Sequence, residues 1–283
     1  MKNKAITIVC VFLIISAIIC FGYIFINSKI KEEKKEEKPE ETIDVVNNEV
    51  VEREERGQNV NVNSRIGQQL KELIKYSEIY SNDIIEELDK GGISSKTKLL
   101  VGLDKIYRKE EYQSYLGYSD EYNNTYILST NMNQVISNSF VDSTLSEKDV
   151  DGILNYDNAT NVYVVVPRAF QTGSIGYTLE IPYKITEYTD RVELEAYRIY
   201  VTKNIEMNQT ESIIEISLYY DKAKSIKALT ITNDPEYSEN NQVNYVKEKI
   251  DSGEIKTDNI ESVKYTFNQV DGEYKILSFG KIK

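Results

Sequence analysis

Residues 261–282 read ESVKYTFNQVDGEYKILSFGKI. Apolar and polar side chains alternate on both sides of Asp271-Gly272, as in two strands that each have one buried face. A two-residue Asp-Gly loop between alternating segments is a strong signal for a tight antiparallel turn. The end of the chain is therefore predicted to form a β-hairpin.

Further strand patterns precede this hairpin. VYVVV at 162–166 is a continuous β-branched run, and four longer segments alternate or nearly alternate: YTLEIPYKITEY, RVELEAYRIYV, SIIEISLYY and SIKALTIT. A helix is expected near 239–251, just before the hairpin. We predict an antiparallel sheet region over 158–283.

Residues 64–157 show the three- and four-residue apolar spacing of helices. One amphipathic helix is predicted from about 64 to 90 and a second from about 95 to 108, with shorter helices near 131–140 and 146–156. Helices followed by strands predict an α+β fold, in which a helical layer packs on a curved antiparallel sheet. Residues 64–283 are interpreted as one α+β unit.

The N-terminal part predicts a membrane anchor. Nineteen of the 22 residues from 5 to 26 are apolar, and no charge occurs between Lys4 and Lys29. A helix of this length spans roughly 33 Å, enough to cross a hydrocarbon core of about 30 Å. Residues 1–4 are interpreted as a cytoplasmic leader and 27–63 as a charged flexible linker.

The orientation rests on two opposing signals. Lysines after residue 26 outnumber those before residue 5, which by the positive-inside rule favours an internal C-terminus. A short basic leader before the apolar run is typical of a signal anchor, and a long domain can be translocated regardless of flanking charge. We predict a single-pass membrane protein with an extracellular C-terminal domain.

Composition excludes several chemistries and partners. The chain has no His, and its cysteines, Cys10 and Cys20, both lie in the apolar segment. Serine–histidine, cysteine–histidine and histidine–zinc sites therefore cannot form in the body. The formal net charge is -12, of which the leader carries +2 and the linker -4, leaving -10 on the body. Such an acidic body argues against nucleic acid and anionic lipid as partners and favours protein.

One segment matches the spacing of a calcium-binding loop, with Glu147, Asp149, Asp151 and Asn155 as candidate ligands. The twelfth position is Asn158, where calcium requires a bidentate carboxylate, and the first is Glu147 in place of Asp. The pattern therefore favours a short helix capped by Ser146. We predict no metal and no cofactor.

Five tyrosines recur at three- and four-residue spacing, which would align their rings on one helical face: Tyr112, Tyr115, Tyr118, Tyr122 and Tyr126. Tyrosine combines a large contact area with a polar tip, so this stripe is a candidate interaction surface. The alternative is that these rings pack the helical layer onto the sheet.

No catalytic residues are predicted. Ser95-Lys96-Thr97-Lys98 matches the S-x-x-K pattern of penicillin-binding proteins, but the companion Ser-Asp-Asn and Lys-Thr-Gly elements are missing. Glu193 and Glu195 share the solvent face of a strand whose other face is apolar. We therefore expect a protein that is not an enzyme.

The order of elements resembles that of bitopic proteins with a nuclear-transport-factor-like domain. The resemblance lies in the final hairpin, with Asp271, Gly272, Tyr274, Ile276 and Leu277. Among such proteins, the layout is similar to that of the assembly factors of type IV secretion and their counterparts in Gram-positive conjugation systems. The resemblance implies a non-enzymatic scaffold that self-associates and contacts other envelope proteins.

We therefore expect a membrane-anchored extracytoplasmic scaffold or interaction protein of a bacterial envelope complex. Conjugative transfer is the specific process that the resemblance suggests. The alternative is a ligand-binding or sensory module, because cone-shaped sheets of this kind often enclose an apolar pocket. A carboxylate-based wall hydrolase is a third hypothesis, which requires two acids facing each other across a groove.

Overall fold

The computed structural model describes residues 57–120, 124–167, 174–207 and 212–282. These residues form an α+β fold with two antiparallel sheets, which confirms the predicted fold class. The predicted membrane segment 5–26 lies outside the described residues. Within the described part of the chain, no helix is long and apolar enough to span a membrane.

The helices and strands alternate in blocks along the chain. The five α-helices of the described ranges are α1 (Arg65–Ile74), α2 (Ser81–Gly91), α3 (Ser95–Arg108), α4 (Ser129–Ser139) and α5 (Gln242–Asp251), and 3-10 helices occupy Glu110–Tyr115 and Thr257–Asn259. The strands are β1 (Gln58–Val60), β2 (Leu116–Ser119), β3 (Asn124–Leu128), β4 (Leu154–Asp157), β5 (Val162–Val165), β6 (Ser174–Glu187), β7 (Val192–Met207), β8 (Ser212–Tyr219), β9 (Lys227–Thr232), β10 (Glu261–Val270) and β11 (Glu273–Lys281).

The larger sheet is organised around the 16-residue strand β7. Its strand order is β1-β6-β7-β10-β11, with β8 and β9 added beside the second half of β7. Residues 192–198 pair with β10, whereas residues 200–207 pair with β8. The smaller sheet has the order β2-β3-β5-β4. One long strand therefore joins two differently paired halves of the larger sheet.

The two halves of β7 bury opposite faces. In the first half Val192, Leu194 and Ala196 belong to the core beneath α1–α4, whereas Ile199 and Val201 belong to a second core beside α5. Successive side chains of a strand point to opposite faces, so the buried side of β7 changes near residue 198. The helical layer covers one end of the sheet, and α5 covers the other face at the other end.

A β-bulge in β6 makes the same change of face. The pairing of β6 with β7 shifts between Pro182 and Lys184, where Lys184 pairs with Glu195 and Ile185 with Leu194. The extra residue turns Ile185 toward the helices while Ile181 stays in the second core. Because of the bulge, β6 directs an apolar residue into the second core before Pro182 and into the core beneath the helices after Lys184.

The predicted C-terminal hairpin is confirmed, with β10 and β11 joined by Asp271-Gly272. Asp271 has φ 54° and Gly272 has φ 85°, the two left-handed positions of a type I′ turn. The predicted strand segments from 162 to 232 and the helices near 95–108, 131–140 and 239–251 are also confirmed.

The single helix predicted from 64 to 90 is wrong, because the chain breaks between α1 and α2. The hydroxyl and the backbone N–H of Ser77 donate to Asp104 Oδ1, and Arg108 Nη2 donates to the Lys75 carbonyl at 2.9 Å. These bonds from α3 satisfy backbone groups that a continuous helix would satisfy itself. Burial raises the pKa of Asp104.

The helix predicted at 146–156 is also wrong. The Val150 and Leu154 backbones pair with each other, Gly152 takes a left-handed φ of 69°, and β4 then pairs with β5. The region 64–157 therefore contains three strands of the smaller sheet in addition to its helices. The linker prediction 27–63 needs a correction as well, since residues 58–60 form β1 at the edge of β6.

Arg198 anchors the helical layer to the larger sheet. Its side chain is fully buried and contacts carboxylates from three elements: Glu180 of β6 at 2.9 Å, Asp89 of α2 at 2.6 Å and Glu261 of β10 at 3.3 Å. Lys281 of β11 lies 3.2 Å from Asp89 and 3.0 Å from Glu261. The carboxylates hold the pKa of Arg198 above its ordinary value, while burial raises that of Glu180. The guanidinium therefore joins β6, β10 and α2.

Replacing Arg198 should strongly destabilise the domain. Arg198→Met leaves Glu180 and Asp89 without their buried partner, so we expect a loss of about 3 to 5 kcal/mol in the free energy of unfolding. Arg191→Met is the matched control, because Arg191 pairs with Asp190 and Glu193 near the surface and should change stability by less than about 1 kcal/mol. Urea unfolding measures both. A loss for Arg198→Met no larger than the control's would contradict the anchoring role.

The hairpin turn should tolerate only glycine at its second position. Gly272→Ala places a side chain at φ 85° and should cost about 1 to 2 kcal/mol. Gly280→Ala is the control, because nothing lies within 4 Å of an added Cβ and its φ is not in the left-handed region, so its effect should stay within about 0.5 kcal/mol. Thermal unfolding of the two variants distinguishes them, and equal losses would exclude the turn as the cause.

Candidate functional site

A cleft of about 660 Å³ lies between the helical layer and the end of the hairpin. Residues from α1, α3, the first 3-10 helix, α4 and β11 line it: Gln68, Gln69, Glu72, Leu73, Lys105, Lys109, Glu111, Tyr112, Asn138, Ser139, Glu273 and Tyr274. This is the size range of small-molecule sites. The cleft combines neutral amides, two phenols and charged groups.

The close packing of α3 against α4 brings Lys105 and Ser139 together. Gly102 allows this approach, because an added Cβ would lie 2.7 Å from Met132 Sδ. Lys105 and Ser139 follow on the same helices toward the cleft. Lys105 Nζ donates to Ser139 Oγ at 2.9 Å, and Ser139 Oγ donates to the Val135 carbonyl at 2.7 Å.

Lys105 has the most unusual electrostatic environment in the cleft. The residue is only 3% exposed although it is a lysine. Burial, followed by repulsion from Lys109 and Arg108, lowers the pKa of Lys105 to about 7. A lysine whose amine can be neutral near physiological pH can accept or donate a proton or bind an anion in a pH-dependent way.

The phenols of Tyr112 and Tyr274 form part of the cleft wall. Tyr112 forms a hydrogen bond with Asn138, and burial raises the pKa of both tyrosines. Both rings also pack against the core beneath the helices. They therefore present fixed, protonated phenols to the cleft.

The structure does not place the tyrosine stripe on one helical face. Tyr112 and Tyr115 lie on the first 3-10 helix with ring centroids 5.5 Å apart, Tyr118 lies on β2 and Tyr126 on β3, and Tyr122 lies outside the described residues. The Tyr126 ring covers Gly117 of the neighbouring strand. The helix assumed for the stripe is thus wrong. Of the described members, Tyr112 lines the cleft.

The candidate calcium ligands lie in a loop and on a strand. Asp149 Oδ1 accepts the Tyr156 N–H at 2.7 Å, Asp151 is 4.0 Å from Lys96, and Asn155 lies on β4. Glu147 lies in the irregular segment before them, and the helix that Ser146 was expected to cap does not form. Among the described residues, no group of three or more Asp, Glu, Cys or His side chains is arranged to hold a metal ion.

Glu193 and Glu195 lie on the face of β7 opposite Leu194, as the alternation predicts. Each contacts a lysine: Lys264 is 3.2 Å from Glu193, and Lys184 is 2.7 Å from Glu195. Tyr183 also donates to Glu195 at 2.8 Å. These acids are therefore held in ion pairs along one sheet face.

Sequence reasoning did not identify Lys105 or Ser139 as site residues. One signal was available: Lys98, Asp104 and Lys105 flank the apolar run LLVGL in a helix where residues 97–106 are buried. Charged residues in such a helix need partners or a cleft. Lys98 has Asp142 at 2.9 Å and the Thr144 carbonyl at 3.0 Å, whereas Lys105 lines the cleft.

Comparisons of this chain with protein-family models, with curated proteins and with solved structures found no match.

The pKa of Lys105 predicts how stability depends on pH. Because the folded-state pKa is about 7 and the unfolded value 10.5, the unfolded chain binds more protons between these values, and stability rises with pH. Lys105→Met removes this term. The melting temperature of the variant relative to wild type should therefore be highest at pH 7 and below, and should fall as pH approaches 10. Lys222→Met, at an exposed position, is the control and should show no such trend.

Proposed function

We propose that this chain is a single-pass membrane protein whose folded domain stands outside the membrane and acts as a scaffold, not as an enzyme. The observation that carries the proposal is the uncharged apolar segment 5–26, followed by a charged linker and then by a compact α+β domain. A segment of this length and hydropathy is suited to crossing a bilayer.

The chemistry of the domain supports a binding role. The buried charges around Arg198 contact one another and join β6, β10 and α2, and Glu193 and Glu195 are paired with lysines. Groups held in this way stabilise the sheet. The net charge of -10 on residues 58–283 favours protein partners over anionic lipid.

The resemblance of the final hairpin supports a more specific assignment. An Asp-Gly turn followed by Tyr274, Ile276 and Leu277 is the feature shared with nuclear-transport-factor-like assembly proteins. We therefore propose an envelope complex of the type IV secretion or Gram-positive conjugation class, in which the chain self-associates and contacts other components.

A ligand-binding module is the second candidate function, and the Lys105 cleft favours it. The apolar pocket expected within the sheet has less support, because Leu194, Tyr265 and Phe267 fill the sheet face beneath the helices. Any ligand site of this domain is better placed in the cleft between α1, α3 and β11.

Thiol labelling in intact cells tests the membrane topology. Both native cysteines lie in the apolar segment, so Asn240→Cys, at an exposed position, adds a thiol on the folded domain. A membrane-impermeant maleimide should label this variant in intact cells. Lys2→Cys is the matched control in the leader and should be labelled only after the membrane is permeabilised. The reverse pattern would exclude an extracytoplasmic domain.

Crosslinking in membranes tests the scaffold role. An amine-reactive crosslinker applied to membranes containing the full chain should trap it with itself or with a few envelope proteins. Mass spectrometry of the products identifies the partners. Recovery of the uncrosslinked monomer alone, from material with correct topology, would contradict the scaffold function.

A further inference from the structure

We propose that the Lys105 cleft binds the C-terminal carboxylate of a short peptide, with Lys105 as the group that pairs with that carboxylate. This ligand assignment goes beyond the scaffold function, and it does not depend on which side of the membrane the domain lies. It assigns a ligand to a cleft that the proposed function leaves unused.

The position of Lys105 supplies the cation. A protonated lysine has three N–H donors, and Lys105 uses one of them on Ser139 Oγ at 2.9 Å. Lys105 and Ser139 both line the cleft, and both residues are buried. A carboxylate that enters the cleft can accept hydrogen bonds from the other two N–H groups of the ammonium. The position of this side chain is already fixed before the ligand binds.

The charge of the walls selects the type of anion. Glu72, Glu111 and Glu273 line the cleft from three different elements, and Arg108 and Lys109 partly neutralise the first two at 3.2 Å and 3.8 Å. These carboxylates repel a phosphate dianion more than a single carboxylate. Among the described residues that line the cleft, Lys105 carries the buried amine, and its single charge matches a monoanion.

The neutral lining suits a peptide backbone. Gln68, Gln69 and Asn138 carry amides that can both donate to carbonyls and accept from N–H groups, as peptide units require. Tyr112 and Tyr274 provide apolar ring faces with polar tips for side chains. The cleft volume of about 660 Å³ accommodates more than an isolated carboxylate.

Carboxylate binding should be coupled to the protonation of Lys105. Because the pKa of free Lys105 is about 7, affinity should fall about tenfold from pH 6 to pH 8. The titratable and charged groups facing it are Glu72 of α1, Asp104 and Arg108 of α3, Lys109 directly after α3, Glu111 and Tyr112 of the 3-10 helix, and Glu273 and Tyr274 of β11.

Calorimetric titration of the detergent-solubilised full chain tests the proposal. The probes are N-acetyl-alanyl-alanine, its C-terminal amide and propionate. We expect the acid to bind about tenfold more tightly at pH 6 than at pH 8 and the amide to bind at least tenfold more weakly than the acid at pH 6. Equal binding of acid and amide, or no binding of the acid at millimolar concentration, would overturn the proposal. Propionate binding as tight as that of the acid would exclude a peptide ligand.

Three variants assign the effect to Lys105. Lys105→Met should abolish the difference between acid and amide. Ser139→Ala removes the acceptor that favours the charged amine, so the pH midpoint of binding should move below that of wild type. Lys222→Met, at an exposed lysine that does not line the cleft, is the control and should retain the preference for the acid and its decline with pH. An unchanged midpoint in folded Ser139→Ala would also overturn the role of Lys105, and none of these results depends on the labelling or crosslinking outcomes.

Discussion

The burial of Arg198 is the constraint on which the rest of the domain depends. A guanidinium removed from water is tolerable only where carboxylates surround it, and here Glu180, Asp89 and Glu261 come from β6, α2 and β10. If β6 or β10 shifted its register against β7, or if α2 moved, the Arg198 guanidinium would lose at least one of these carboxylates. One side chain thereby couples strand register to helix docking.

Arg198 lies where β7 changes its buried face, and the coincidence has a physical reason. Up to Ala196 the helices cover one face of the strand, and from Ile199 the second core covers the other. At residue 198, where the buried face changes, neither of the two apolar cores is continuous. A polar side chain can therefore occupy the side of β7 that faces the helices. The carboxylates across the sheet and on α2 then fill the gap between the two cores.

Much of the fold follows from local pattern. The hairpin was predictable because Asp271-Gly272 fixes a turn by its own backbone preferences, and strand alternation identified β6 to β10. The break after α1 and the strand β4 were not, because α3 supplies bonds to Ser77 and Lys75 and β5 supplies the partner of β4. Periodicity reports which face is buried, not which distant residue completes a backbone hydrogen bond.

Arg198 and Lys105 are two buried charges of this domain that differ in what surrounds them. Arg198 was placed by its strand neighbours and is surrounded by carboxylates, so its charge is balanced within the fold. Lys105 was placed by the approach of α4 to α3 at Gly102, and its ammonium donates a hydrogen bond to the neutral hydroxyl of Ser139. A hydroxyl stabilises an ammonium less than a carboxylate does. Of these two buried cations, Lys105 therefore gains more from an anion supplied from outside, and that difference makes the cleft, not the Arg198 cluster, the candidate binding site.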